Sequence, residues 1–170
     1  MSFKKIATFL KPDCFCKKVS DIEIEKLTRS GIKGLILDVD NTLISRKSLY
    51  LSKDVFNWVN RAQNYFKIII LSNNSESKIL RVAKPLNIQY IPWTLKPLTF
   101  FYKLALLRLG LNANEVCVIG DQVFTDILGG KLIGAKAIYV EPINEKEDSG
   151  WTRFVRVFEK KLLKQWKIEI

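Results

Sequence analysis

Short β-branched-rich apolar runs alternate with amphipathic stretches through the middle of the chain. Gly34 to Leu37, Lys67 to Leu71, Ile88 to Ile91, Val116 to Ile119 and Ala135 to Val140 are such runs, each bounded by Gly or polar residues. Near-continuous apolarity of this kind marks strands covered on both faces. Between the runs, Ser52 is placed to N-cap a helix to about Tyr65 and Ser75 one to about Ala83, while Pro97 opens one ending near Gly110 and Thr125 starts one ending near Gly134. Strand then helix, repeated, predicts an α/β fold: a doubly wound, Rossmann-like parallel sheet of about five strands. At 170 residues the chain is expected to form a single domain over 1–170, with a basic amphipathic N-terminal segment to about residue 20 and a C-terminal helix over about 150–167.

Ligands of such sheets bind beyond the carboxyl ends of the strands, so the residues just after each run carry the information about chemistry. They are polar to an unusual degree. Asp38, Asp40, Asn41 and Thr42 follow the first run, Ser72, Asn73 and Asn74 the second, and Gly120, Asp121 and then Asp126 the fourth, while Lys96 stands just before Pro97.

Composition removes whole classes of mechanism. The chain has 0 His, which excludes imidazole-based hydrolysis and His-ligated zinc. Its 3 Cys, Cys14, Cys16 and Cys117, form no disulfide framework or redox pair and imply a reducing, cytoplasmic setting. None has an Arg six residues later to hold a phosphate above a thiolate, so cysteine-phosphatase chemistry is excluded too. Acid-base work falls to carboxylates. Asp38 and Asp40, two residues apart on extended backbone, start on one face and repel each other. With Asp121 nearby, a hard divalent cation with oxygen ligands, Mg2+ above all, suits the group. One carboxylate could then attack phosphorus, with Ser72 and the adjacent amides on phosphoryl oxygens and Lys96 neutralising their charge.

These residues carry a resemblance. Asp38-Val39-Asp40-Asn41-Thr42-Leu43 resembles the first motif of the haloacid dehalogenase (HAD) superfamily, Leu71-Ser72-Asn73 the second, Lys96-Pro97 the third, and Gly120 through Asp126 the fourth, in the family's order along the sheet. Closer still, the chain is similar to the YqeG family of phosphatases, whose fungal and plastid relatives act on phosphatidylglycerophosphate. The resemblance implies that Asp38 is the nucleophile and Asp40 the general acid, protonated at the outset, which later activates water. It implies catalytic support from Ser72 and Lys96, phosphate binding by Ser72, Asn73 and Lys96, and Mg2+ held by Asp38, Asp40 through its backbone carbonyl, Asp121 and Asp126. Gly129, Gly130 and Gly134 are expected to serve turns and packing.

Leu43 to Lys67 and Ser75 to Lys96 leave no room for a cap domain, so the substrate must be large or surface-held to close the site. Protein, nucleic acid or a lipid headgroup would fit. The net charge of +11 is concentrated at the ends, residues 1–20 and 151–170 carrying +4 each, and basic ends favour peripheral contact with the inner face of an anionic membrane. Phe3, Ile6, Phe9 and Leu10 could form one apolar face beside Lys4, Lys5 and Lys11. Trp151, Phe154, Val155, Phe158, Leu162 and Trp166 recur at helical spacing among Arg153, Arg156, Lys160, Lys164 and Lys167, a stripe expected to cover the sheet. The alternative substrates are a soluble nucleotide, sugar or phosphoprotein. A basic nucleic-acid-binding module on the same scaffold is disfavoured by intact acids at every catalytic position.

Overall fold

The computed structural model describes residues 3–166, and Lys167 lies outside them, as do the side chains of Phe3 and Lys4. Strands β1 (Cys14–Cys16), β2 (Gly34–Leu37), β3 (Lys67–Leu71), β4 (Gln89–Ile91), β5 (Val116–Gly120) and β6 (Lys136–Val140) form one sheet in the order β1-β6-β5-β2-β3-β4. Every pairing is parallel. The helices are α1 (Phe3–Leu10), α2 (Ile24–Arg29), α3 (Lys53–Ala62), α4 (Glu76–Leu86), α5 (Thr99–Leu109), α6 (Leu128–Ile133) and α7 (Gly150–Gln165). The chain steps from β2 outward to β3 and β4, then returns across the sheet to β5, which makes the gap between β2 and β5 the topological switch point.

Alternation along β2 and β3 feeds two of the three core clusters. Leu35, Leu37, Ile68 and Ile70 pack with Trp58 and Val59 of α3 and Ile79 and Val82 of α4. Their neighbours Ile36, Ile69 and Leu71 point the other way, onto Tyr102, Ala105 and Leu109 of α5. Burial on both faces is why these strands are apolar throughout. Ser52 caps α3 by accepting the Val55 N–H at 3.3 Å. One helix lies between β2 and β3 and one between β3 and β4, so among the described residues neither connection carries a cap domain.

Three details differ from the sequence pattern. The sheet has six strands rather than five: Cys14–Cys16 pairs with Ile138–Val140 at the edge. Three residues are too few to show alternation, and the pairing is anchored by Asp13, whose Oδ2 accepts the Ala137 N–H and the Lys131 ammonium, both at 2.7 Å. The helix after Pro97 begins at Thr99. In place of a helix starting at Thr125, a π-helical turn over Val123–Ile127 runs straight into α6.

Candidate active site

Local geometry beyond the central strands gathers the polar residues. The Asp38 N–H donates to Ile119 O at 3.0 Å, continuing the β2–β5 pairing by one residue. The chain then turns at Asn41, whose φ of 60° is left-handed, a conformation that Asn tolerates better than most residues. That turn carries Thr42 back so that its hydroxyl donates to Asp38 Oδ2 at 2.9 Å and reaches Asp121 Oδ1 at 3.5 Å. At the end of β5 a Cβ on Gly120 would lie 2.3 Å from the Asp126 carboxyl carbon, so only glycine lets Asp126 fold back over the strand. Gly129 likewise makes room for the buried Tyr102 ring, and Gly134 ends α6 in a left-handed conformation.

Asp38, Asp121 and Asp126 are buried, each with a carboxylate oxygen within 4.8 Å of the others. Lys96 bridges two of them, its Nζ 2.5 Å from Asp38 Oδ1 and 2.6 Å from Asp126 Oδ1. The third, Asp121, is paired with Arg156 of α7. Burial pushes the Asp38 carboxyl up to about 6, with Lys96 opposing and Asp126 adding to the rise. Burial also drives Asp121 well above the usual carboxylate range despite Arg156. For Lys96, burial favours the neutral amine, but the attraction of Asp126 and Asp38 outweighs it and raises the ammonium above its ordinary value. It is therefore charged at neutral pH.

Asp40 stands apart from this cluster. Its carboxylate accepts from Asn74 Nδ2 at 2.5 Å, from Lys78 Nζ, and from Arg46 Nη1 at 3.5 Å. Ser72 Oγ accepts the Asn74 backbone N–H at 3.3 Å and its Nδ2 at 3.4 Å, which leaves the Ser72 proton as a donor. Asn73 Oδ1 accepts the Lys96 backbone N–H at 2.8 Å, so this amide braces the loop that aims Lys96 while its own NH2 end stays a donor. A cavity of about 440 Å³ is walled by Asp38, Asp40, Ser72, Asn73 and Lys96, together with Arg46, Phe124 and Trp151. Asp121 and Asp126 lie outside that wall.

Several of these contacts lie outside the sequence motifs. Lys78 and Arg46 on Asp40, and the Asp148–Arg156 pair behind Asp121, belong to no motif. Asp148 takes the Asn41 amide at 2.9 Å and Arg46 Nε at 2.7 Å, tying the first motif to the loop before α7. A signal for Arg156 did exist: Thr152, Arg156 and Glu159 form a polar stripe at helical spacing. That stripe, with Leu162 and Leu163, is the buried side of α7. The expected apolar stripe is only partly there: Leu162 is buried and Trp166 packs beside it, but Trp151, Phe154 and Phe158 are exposed, because the polar stripe finds its partners on Asp121, Asp148 and the Phe124 N–H. α1 divides similarly, with Ala7 and Leu10 buried and Ile6 and Phe9 exposed.

The donor set suits a hard cation. Asp38, Asp121 and Asp126 offer only carboxylate oxygens, buried and close enough that the charge of Asp126 raises Asp38 and both raise Asp121, a repulsion that a divalent ion among them would relieve.

Comparison with known proteins agrees with this geometry. Residues 3–88 match the family model of mitochondrial PGP phosphatase, and residues 94–148 that of HAD-hydrolase-like proteins. The chain is 34% identical over 160 residues to the probable phosphatase YqeG of Bacillus subtilis, covering 94% of this chain and 92% of that one. It is 28% identical to the chloroplastic/mitochondrial phosphatidylglycerophosphate phosphatase 1 of Arabidopsis thaliana, covering 93% of this chain and 48% of that one. Among solved structures, a HAD phosphatase from Thermococcus onnurineus superposes with a TM-score of 0.56 at 16% identity, over 71% of this chain and 90% of that one. An uncharacterized protein from Listeria monocytogenes serotype 4b gives 0.55 at 19%, over 69% and 85%. With the sheet, the motif positions and the relatives in agreement, the chain belongs to the YqeG-type phosphatases of the HAD superfamily.

Proposed function

We propose that this phosphatase hydrolyses the phosphomonoester of phosphatidylglycerophosphate at a membrane surface, with Mg2+, through an aspartyl-phosphate on Asp38. The observation that carries the chemistry is the Lys96 ammonium bridging Asp38 and Asp126 at the cavity wall. It holds Asp38 in one orientation and supplies fixed positive charge where a phosphoryl group would gain negative charge in the transition state. Asp38, Asp121, Asp126 and the Asp40 backbone carbonyl would hold the Mg2+, which would bring the anionic ester and the Asp38 carboxylate together.

Asp38 attacks phosphorus, Asp40 protonates the departing alkoxide, and Asp40 then takes a proton from the water that opens the acyl phosphate. Ser72 and the Asn73 amide donate to phosphoryl oxygens. For Asp40 to carry a proton, Lys78 and Arg46 must turn from its carboxylate, and an arriving phosphate dianion offers them a stronger partner. The lipid substrate is supported by the uncapped, open cavity and by the likeness of residues 3–88 to the PGP phosphatase model. The experiment is phosphate release by purified protein from phosphatidylglycerophosphate in mixed micelles, beside soluble nucleotide, sugar and phosphopeptide esters, with Mg2+ or with a chelator. Release that depends on Mg2+ and is greatest for the lipid is expected. A soluble ester turned over faster would replace the lipid as substrate.

A further inference from the structure

We propose that the exposed aromatic ridge of α7, with the Trp93–Phe100 segment, is the surface on which the protein sits against an anionic lipid bilayer. The proposal rests on the reading of the site as a lipid-headgroup phosphatase, and it names the face that such an enzyme presents to the bilayer.

Trp151, Phe154 and Phe158 are 74%, 56% and 46% exposed, yet they stack on one another with ring centroids 5.8 and 5.2 Å apart. The ridge runs into the site, since Trp151 also forms part of the cavity wall. A second apolar stretch reaches the same wall through Pro97, where Trp93, Leu95, Leu98 and Phe100 are all exposed. Monomeric proteins seldom leave such a concentration of large apolar side chains in water unless a partner covers it.

Charge selects the partner. The only acid in α7 is Glu159, which is buried, while Arg153, Lys160, Lys161 and Lys164 are exposed. Lys161 Nζ lies 5.7 Å from the centre of the Phe158 ring. From Pro92 through Arg108 there is no acid at all. A second copy packed on this face about a two-fold axis would set these cations against their own images. An anionic bilayer accepts both features, with the aromatic rings at the headgroup level and the lysines and arginines on lipid phosphates. The cavity that shares Trp151 and Pro97 with this face would then open toward the headgroups.

The test is sedimentation with mixed phosphatidylcholine and phosphatidylglycerol vesicles, without substrate. Wild type should sediment with them, and Phe154→Ser/Phe158→Ser should lose at least about tenfold in partitioning, since each ring forfeits its burial in the interface. Phe100→Ser, on a different helix, should lose binding in the same direction, so the result does not hang on one variant's folding, which circular dichroism monitors. Wild type that stays in the supernatant, or variants that sediment as well as wild type, would overturn the proposal. So would a dimer in sedimentation velocity that the ridge substitutions dissolve, since the ridge would then serve a second copy. Phosphate release from micellar phosphatidylglycerophosphate is read separately. Vesicle binding without release refutes the lipid-phosphatase reading alone, and release without vesicle binding refutes the docking surface alone.

Discussion

In the proposed mechanism Asp38 is both a buried group of the fold and the attacking group, and the two demands conflict. Its carboxyl is raised from 3.8 to about 6, chiefly by burial. A carboxyl raised in the folded state favours folding most when protonated, so that contribution is present below the unfolded value and is lost as pH rises through about 6. Asp38→Asn removes this pH dependence. In chelator, the variant should be more stable than wild type at pH 7.5, by roughly 1–3 kcal/mol, with the difference closing toward pH 4. Phosphate release should meanwhile vanish, because an amide cannot form the acyl phosphate. Thermal melting at the two pH values together with a phosphate assay decides it, and turnover near wild type would remove Asp38 as nucleophile. Asp40→Asn keeps the backbone carbonyl but loses the transferable proton. Turnover should fall about a hundredfold or more, least for esters with good leaving groups; an equal loss across esters would argue against the acid role.

At the scale of elements, α7 has two unlike faces. Its inner face is polar because it ends on the site: Arg156 bonds Asp121 and Asp148, donating to the Asp121 carbonyl at 3.1 Å, while Glu159 accepts the Phe124 N–H at 3.0 Å. Burial pushes Glu159 up to about 7. Removing the guanidinium would strand the buried Asp121 carboxylate, while Asp148 would keep Arg46 and the Asn41 amide. Arg156→Leu should therefore cost about 3–5 kcal/mol in a urea titration at pH 7, and Arg156→Lys, which keeps the charge but not the planar fork, should cost less. A loss below 1 kcal/mol in Arg156→Leu, about the worth of a surface pair, would show that α7 is not held by this contact. The helix itself was legible in the sequence from its apolar spacing, but which face turned inward was not. Apolar spacing alone named the aromatic side, whereas the partners that bury Thr152, Arg156 and Glu159 come from segments distant in the chain.

Across the whole molecule, charge gathers at the ends, and the structure describes Lys5 and Lys11 as exposed. Near an anionic surface each such residue contributes about 1 kcal/mol, screened over roughly 8 Å at physiological salt. Replacing Lys4, Lys5 and Lys11 with Gln should weaken sedimentation with anionic vesicles and slow hydrolysis of the lipid phosphate. Hydrolysis of a small chromogenic ester should be unchanged, as neither Lys5 nor Lys11 lines the cavity. Equal loss of both activities would place the N-terminus in the fold instead of at the membrane. No helix among the described residues is long and apolar enough to cross a bilayer.

By itself the sequence determined the five principal strands, the helices between them and the gathering of Asp38, Asp40, Ser72, Lys96, Asp121 and Asp126 at one edge. The physical reason is that each group directly follows a strand or opens the next helix, and a parallel sheet brings all carboxyl ends to one side. Only the tertiary structure decided what each carboxylate touches. Lys78 and Arg46 reach Asp40, Arg156 and Asp148 brace Asp121, Cys14–Cys16 adds a sixth strand, and the α7 aromatics face outward. These depend on contacts between distant segments, 107 residues apart from Asn41 to Asp148 and 124 from Cys14 to Ile138, and no local period or motif encodes such a pairing.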